Sequence, residues 1–431
     1  MIKFVSSRAT TIKSTVLFIA LCLCFTLHPL FSVADARVYI DITSPAIKKL
    51  PLAVSEFSGP SGREIADIIR DDLDFTGIFL VVDGSASVEA PSQPFDAKNW
   101  SVLGVEVVVK GTVKSNSNSV STVSLYDVGE GKEIFKKEYQ AEAGLTRPLA
   151  HTIANDIYKQ ITNEDGIFRT RIAYIARSGG HDELSIMDWD GQRVNRPGIK
   201  GSLLLSPRWS KDGSKLIYSA ERNRQWNIYL LDFKKQSEKK VFSARGTNLA
   251  GDFFPNADEF ALASSMSSTS NIYLYRISES RIVRLTSSRS VEVTPTVSPD
   301  GTHIAFVSDR QGSPQIFIMD KEGYNIRRLT FSGPYNTAPS WSPKGDKIVF
   351  SGRDGGRNQI FTINVDGSGI AQLTDRGNNE DPSLSPDGRY IVFTSDRDGG
   401  RSIYIMRANG EAQKRITPKG MLAFGPRWSP N

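Results

Sequence analysis

Six copies of a short β pattern, set at a nearly constant interval, constrain this chain more than any other feature. Ile172, Leu216, Phe260, Ile304, Ile348 and Ile391 are separated by 44 residues four times and by 43 once. Leu184, Ile228, Ile272, Ile316, Ile360 and Ile403 keep the same intervals, and Trp209, Phe253, Val297, Trp341, Leu384 and Trp428 form a third series in phase with them. A period in the low forties with about four strands per unit is the signature of a β-propeller, whose blades bury their faces only against neighbouring blades. The spacing therefore predicts six four-stranded blades over residues 166–431.

The unit beginning at Ala338 shows how a blade is written. Ala338–Ser342 reads as an inner strand, and Pro343-Lys344-Gly345 turns the chain, with proline presetting φ and glycine accepting a positive one. Lys347–Ser351 alternates like a second strand, Gln359–Ile363 is the third, and Ala371–Thr374 is a short outer one. Phe253-Phe254-Pro255-Asn256-Ala257 lacks the Asp-Gly turn, which predicts an irregular blade there. The tryptophan series is offset from the others, so Arg171–Ile175 is a second strand with no inner strand before it. Phe424–Ser429 is an inner strand with nothing after it. The tail is expected to complete the first blade and remove the unpaired edge. The once-per-repeat aromatic and aliphatic positions read as blade core, not as binding anchors.

Residues 1–36 read as an export signal that is removed. Lys3, Arg8 and Lys13 precede the apolar stretch Val16–Leu27, and small residues offer cleavage after Ala34 or Ala36. The stretch is shorter than the ~18 residues of a spanning helix, so no membrane insertion is expected after signal removal. Cys22 and Cys24 both lie inside it, which leaves no thiol for a disulfide or a thiolate metal site. The chain carries 53 basic against 47 acidic residues, an excess too small to point to nucleic acid.

Residues 37–165 predict a separate small α/β domain with an extended N-terminal segment. Val38–Ile42, Leu52–Val54, Ile78–Val82 and Val105–Val109 read as strands, and Val120–Tyr126 with Glu133–Tyr139 as a hairpin. Ile65, Ile68, Ile69 and Leu73, then Leu149, Ile153, Ile157 and Ile161, mark two amphipathic helices. Asp71, Asp72 and Asp74 read as a wet helix face, and Asn163–Gly166 as a hinge to the ring.

The residues offer no reaction centre. Gly59-Pro60-Ser61-Gly62 has the wrong spacing for a nucleophile elbow. His151, His181 and His303 fall on a helix, a loop and a strand, so no metal or catalytic site is assigned. Asp188–Gly191 and Asn364–Gly367 read as Asp/Gly turns lacking the further oxygens calcium needs. Lys234, Lys235, Lys239 and Lys240 read as a solvated edge. Function is expected in the loops that enter the inner strands, since propeller strands hold such loops in place. Those loops vary: Thr247–Ala250, Val291–Thr294, Tyr335–Ala338 and Asn378–Asp381.

The junction Gly166–Tyr174, Glu183-Leu184 with Asp188 and Asp190-Gly191, the start at Ser206, the terminal Pro426–Pro430 and Arg37–Ile42 together resemble the TolB family of the Tol–Pal cell-envelope system. The resemblance runs along essentially the entire chain. It implies a periplasmic protein–protein interaction module, not an enzyme, without cofactor, that supports outer-membrane integrity and constriction during division. Two partners are implied: the lipoprotein Pal at the channel entrance and TolA at the N-terminal segment. By position, Thr247, Ala250 and Val293 fall on the family's Pal-contacting loops, with Glu292, Asn336, Thr337 and Glu380 on neighbouring blades. Thr247 stands where the family often has histidine. The TolA segment carries over to Arg37, Val38, Tyr39, Ile40, Asp41 and Ile42, which can add to a sheet edge or dock on its own domain. The alternative is an exported propeller enzyme or ligand binder acting on a peptide or carbohydrate in its channel.

Overall fold

The computed structural model describes residues 48–431 apart from 83–88, 116–117 and 143. The export segment and Arg37–Ile42 lie outside the described residues. The first domain is built from β1 (Leu50–Val54), α1 (Gly62–Thr76), β2 (Phe79–Val82), α2 (Ala97–Ser101), β3 (Val107–Ser115), β4 (Asn118–Asp127), β5 (Lys132–Glu142) and α3 (Thr146–Thr162). The sheet order is β2-β1-β3-β4-β5, with β1 parallel to both neighbours and the rest antiparallel. The parallel β1–β2 pair needs a crossover, which α1 supplies. Ile65, Ile68, Ile69 and Leu73 of α1 are buried, as are Leu149, Ile153, Ile157 and Ile161 of α3. The two apolar stripes anticipated from sequence therefore bury together.

The six blades follow. The first joins β6 (Arg171–Ser178), β7 (His181–Asp188) and β8 (Lys200–Gly201) to the last strand of the chain, β29 (Leu422–Trp428). The others comprise β9–β12 (Leu203–Ser243), β13–β16 (Asn248–Arg284), β17–β20 (Glu292–Arg328), β21–β24 (Asn336–Gln372) and β25–β28 (Asn379–Arg415). The inner strands β9, β13, β17, β21, β25 and β29 each touch the next, and β29 touches β9, so the ring is closed. Closure rests on pairing between the two ends of the propeller sequence. Trp428 pairs with Ile172, Phe424 pairs with Ile175, and the Trp428 indole donates to Thr170 Oγ1 at 2.7 Å. Trp209 and Trp341 likewise donate to the carbonyls of Arg427 and Thr296 on the preceding inner strands. Of the series, Phe253, Val297, Trp341 and Trp428 are buried, while Trp209 and Leu384 are half-buried.

The turn at Phe254–Ala257 corrects one expectation. It is regular: Ala257 N–H donates to the Phe254 carbonyl at 3.0 Å, as Gly301 does to Ser298 and Gly345 to Ser342. Ala257 adopts φ 54°, against 76° and 72° for those glycines, so alanine carries the left-handed conformation itself. That conformation costs an L-residue about 1–2 kcal/mol. Ala257→Gly is expected to raise unfolding stability by about 1 kcal/mol, read from the denaturation midpoint of the full chain.

The expected hinge also gives way, and the expected wet face holds at Asp71 and Asp74, both exposed, but not at Asp72. At the junction, Gly166 N–H donates to Asn155 Oδ1 at 3.0 Å and Asp165 accepts from Asn155 and Lys159. Ile167 and Phe168 are buried, so the connection is packed in place. Asp72 is 1% exposed because it meets buried His151. The helical wheel places Asp72 beside apolar neighbours, and only a second helix supplies its partner. Phe75 stacks on Tyr390 at 5.3 Å and tilts against Trp189 at 5.1 Å, joining α1 to two blades. Gly77 ends α1 with φ 73°, and a Cβ there would lie 2.5 Å from the Arg407 guanidinium, so glycine permits this close approach. Arg407 Nε donates to the Phe75 carbonyl at 3.2 Å.

Candidate docking face

In each blade the chain enters the inner strand from one end of the ring, and the loops there are braced from beneath. Asn336 donates to Gln315 Oε1 at 2.7 Å and to the Ser332 carbonyl at 2.9 Å, while Thr330 Oγ1 donates to the same Gln315 oxygen. The next blade repeats the device with Asn379, Gln359 and Thr374. Each brace links the outer strand and third strand of one blade to the inner strand of the next. Its polar atoms are buried and mutually satisfied, which favours a single geometry. The blade entered at β17 uses a charged version: Glu292 accepts from Asn271 and Ser288 and pairs with Arg310. Two blades further round, Arg397 fills the role of Arg310 by donating to Asn379 and Ser395, and burial holds its proton affinity below the usual guanidinium range.

These braces divide the residues proposed from sequence. Glu292 is fully buried and Asn336 is 2% exposed, so both hold loops and neither presents a side chain to a partner. Ala250 is buried at 2%, with its N–H donating to Ser219 Oγ at 2.7 Å. Thr247 is exposed, while Val293, Thr337 and Glu380 are half-buried. Glu380 accepts from Asn358 at 2.8 Å and from Arg401 at 3.2 Å. The structure thus brings Thr247, Val293, Thr337 and Glu380 to one end of the ring as its accessible set.

Sequence reasoning missed the charge of this end. Arg245, Arg289, Arg353, Arg357, Arg376 and Arg401 are all exposed on its loops. Arg245, Arg289 and Arg376 stand on the loops that enter the inner strands, and Arg353, Arg357 and Arg401 at the hairpins between second and third strands. Arg353 lies 4.9 Å over the Tyr335 ring, a cation–π contact that fixes the guanidinium near the surface. A shallow concavity of about 440 Å³ between the last two blades is lined by Arg357, Asp375, Arg376, Asn378, Asp396 and Arg397. Among the described residues no cluster of His, Cys, Asp and Glu is arranged to hold a metal, and no helix is long and apolar enough to cross a membrane.

The family model for the TolB beta propeller domain matches residues 158–431. The chain belongs to the TolB family. The model for the TolB amino-terminal domain also matches, over residues 38–134. The chain is 35% identical over 271 residues to the Tol-Pal system protein TolB of Desulfosudis oleivorans, covering 59% of this chain and 60% of that one. It is 31% identical over 243 residues to the protein of the same name from Alcanivorax borkumensis, covering 54% and 56%. The chain thus spans less than two thirds of the length of these curated relatives. The crystal structure of TolB from Acinetobacter baumannii superposes with a TM-score of 0.80 at 25% identity, over 91% of this chain and all of that one. The six-bladed propeller behind an α/β domain is therefore a TolB architecture as well as a periodicity in the sequence.

Proposed function

We propose that this chain is a non-catalytic periplasmic interaction module of a Tol–Pal system. Its propeller loops receive Pal, and its N-terminal segment, Arg37–Ile42, engages TolA. The observation that carries the reading is the braced loop face, where variable, accessible residues stand on a repeated buried framework. A rigid platform loses little conformational entropy on docking, so modest contacts suffice for affinity. Membership of the TolB family and relatives named as Tol-Pal system proteins support the same assignment.

The test is titration of the soluble domain of Pal against the signal-free chain by calorimetry. Thr247→Arg and Val293→Arg are expected to weaken binding at least tenfold, the scale of a central interface position. Lys234→Ala with Lys235→Ala, exposed on a turn at the other end, is expected to leave it unchanged. Absence of saturable binding, or equal binding by all variants, would remove this reading. Truncation of residues 37–42 is expected to abolish capture by TolA while Pal binding persists.

A further inference from the structure

One residue before the tryptophan series, the inner strands carry Arg208, Asp252, Thr296, Ser340, Ser383 and Arg427 in equivalent register. All six line a cavity of about 180 Å³ that draws on every blade, so it lies on the ring axis. The cavity is nearer the turns that leave the inner strands than the docking loops, because these residues stand late in their strands. Each inner strand changes register just before this layer. Ser206, Thr294, Ala338 and Asp381 hold φ of 54°, 50°, 49° and 55° at that break. Such bulges re-aim the side chains that follow them.

The charges of the layer do not balance. Asp252 is fully engaged: Oδ1 meets Arg208 Nε at 2.8 Å, and Oδ2 accepts from the Thr296 hydroxyl and from Val297 N–H. Arg208 is 5% exposed and also donates to its neighbouring carbonyl. Arg427 donates only to carbonyls, those of Pro426 at 2.7 Å and Asp381 at 3.1 Å. Among the described residues no carboxylate lies within 4.0 Å of it. Burial and the adjacent Arg208 press its proton affinity down, and the more distant Asp381 and Asp252 offset this only in part. The Ser340 hydroxyl makes no hydrogen bond among the described residues, and Ser383 Oγ accepts from Trp428 N–H with its own proton free to donate. Lys211 adds a further cation at the rim.

We infer that this axial layer binds a small oxyanion, with Arg427 as its anchor and Arg208, Ser340 and Ser383 as supporting donors. A guanidinium presents paired N–H donors matched to the oxygens of a carboxylate or phosphate. A confined cation without a counter-ion is costly, and an anion relieves that cost. The volume selects for size. Pockets for drug-sized ligands run from ~300 Å³ upward, so this one fits phosphate or a short carboxylate and not a peptide or an oligosaccharide.

The experiment is thermal melting and calorimetry of the signal-free chain with sodium phosphate and, separately, sodium acetate, each against chloride at matched ionic strength. A saturable rise in melting temperature with at least one anion is expected, and whichever acts identifies phosphate or carboxylate as the source. Arg427→Gln is expected to weaken that response at least tenfold and, in chloride alone, to melt no lower than the parent chain. Ser340→Val narrows the cavity without altering charge and is expected to blunt the response too; it serves if the arginine variant fails to fold. No saturable response to either anion, or an undiminished response in Ser340→Val or Arg427→Gln, overturns the site. Pal titration at the opposite end reads out separately, so failure here leaves the docking assignment standing.

Discussion

Removal of residues 424–431 is expected to unfold the propeller as a whole, with a loss comparable to the entire stability of an ordinary domain. Strand β29 is the inner strand of the first blade, and its loss deletes the pairing of Phe424, Arg427 and Trp428 with β6. Phe424 and Trp428 are both buried, and each such side chain contributes about 1.5–3 kcal/mol. Two backbone links also vanish: Arg171 N–H to Ser429 Oγ, and Ser429 N–H to the Arg171 carbonyl. The larger effect is topological. Strand β6, whose Ile172–Ala176 are buried, would become a bare apolar edge open to other chains. Against a typical margin of about 5–15 kcal/mol, that combination leaves little folded ring. Melting by near-ultraviolet circular dichroism, with light scattering for aggregation, checks it. Trp428→Ala grades the effect, with an expected loss of about 3–5 kcal/mol. A truncated chain that melted with the parent would show that the ring does not depend on its closing strand.

Asp190→Ala is expected to cost about 3–5 kcal/mol, because it strands buried positive charge between the two domains. His151 on α3 is 2% exposed; its Nδ1 lies 2.7 Å from Asp72 Oδ2 on α1, and its Nε2 lies 3.5 Å from Asp190 on the first blade. Arg147 donates to Asp190 from Nε at 3.0 Å. Burial alone would drive the proton from His151, but Asp190 and Asp72 outweigh it and lift the imidazole to about 9. Burial lifts Asp72 to about 6 against the pull of His151. It also pushes Asp190 upward, yet His151 and Arg147 hold that carboxyl below its usual range. Nearby Asp188 is raised by burial and eased by Arg193.

The sign follows from linkage. A histidine with a raised folded value contributes fully below its unfolded value of about 6.5, and the contribution fades as pH climbs through about 9. Asp72, also raised, favours the folded state below about 3.9 and loses that benefit by about 6. Between these windows the imidazolium and its carboxylates hold the domains together. Denaturation midpoints are therefore expected to fall between pH 7 and 9.5 in the parent chain, and much less in Asp190→Ala. Equal pH slopes in the two proteins would dismiss His151 as the titrating group.

The docking-face residues were legible in part, and the reason is local. Loops that enter an inner strand can be located from the repeat, so it follows from the repeat that Thr247, Val293, Thr337 and Glu380 share one end of the ring. Whether a polar side chain on such a loop faces a partner or the blade beneath depends on Gln315 or Arg310, outside the loop itself. Sequence spacing carries no information on that choice, so the roles of Glu292 and Asn336 were not legible.

Periodicity alone determined the number of blades, the strands within each, the turns between them and the need for the tail to close the ring. All of these are set by residues a few positions apart, or by a repeat that every unit must obey. Only the closed ring decided what faces the axis and what welds the domains. Arg427 comes beside Arg208, and Asp190 beneath His151, because closure and docking join segments remote in the chain, and their charges acquire meaning only once water is shut out between them.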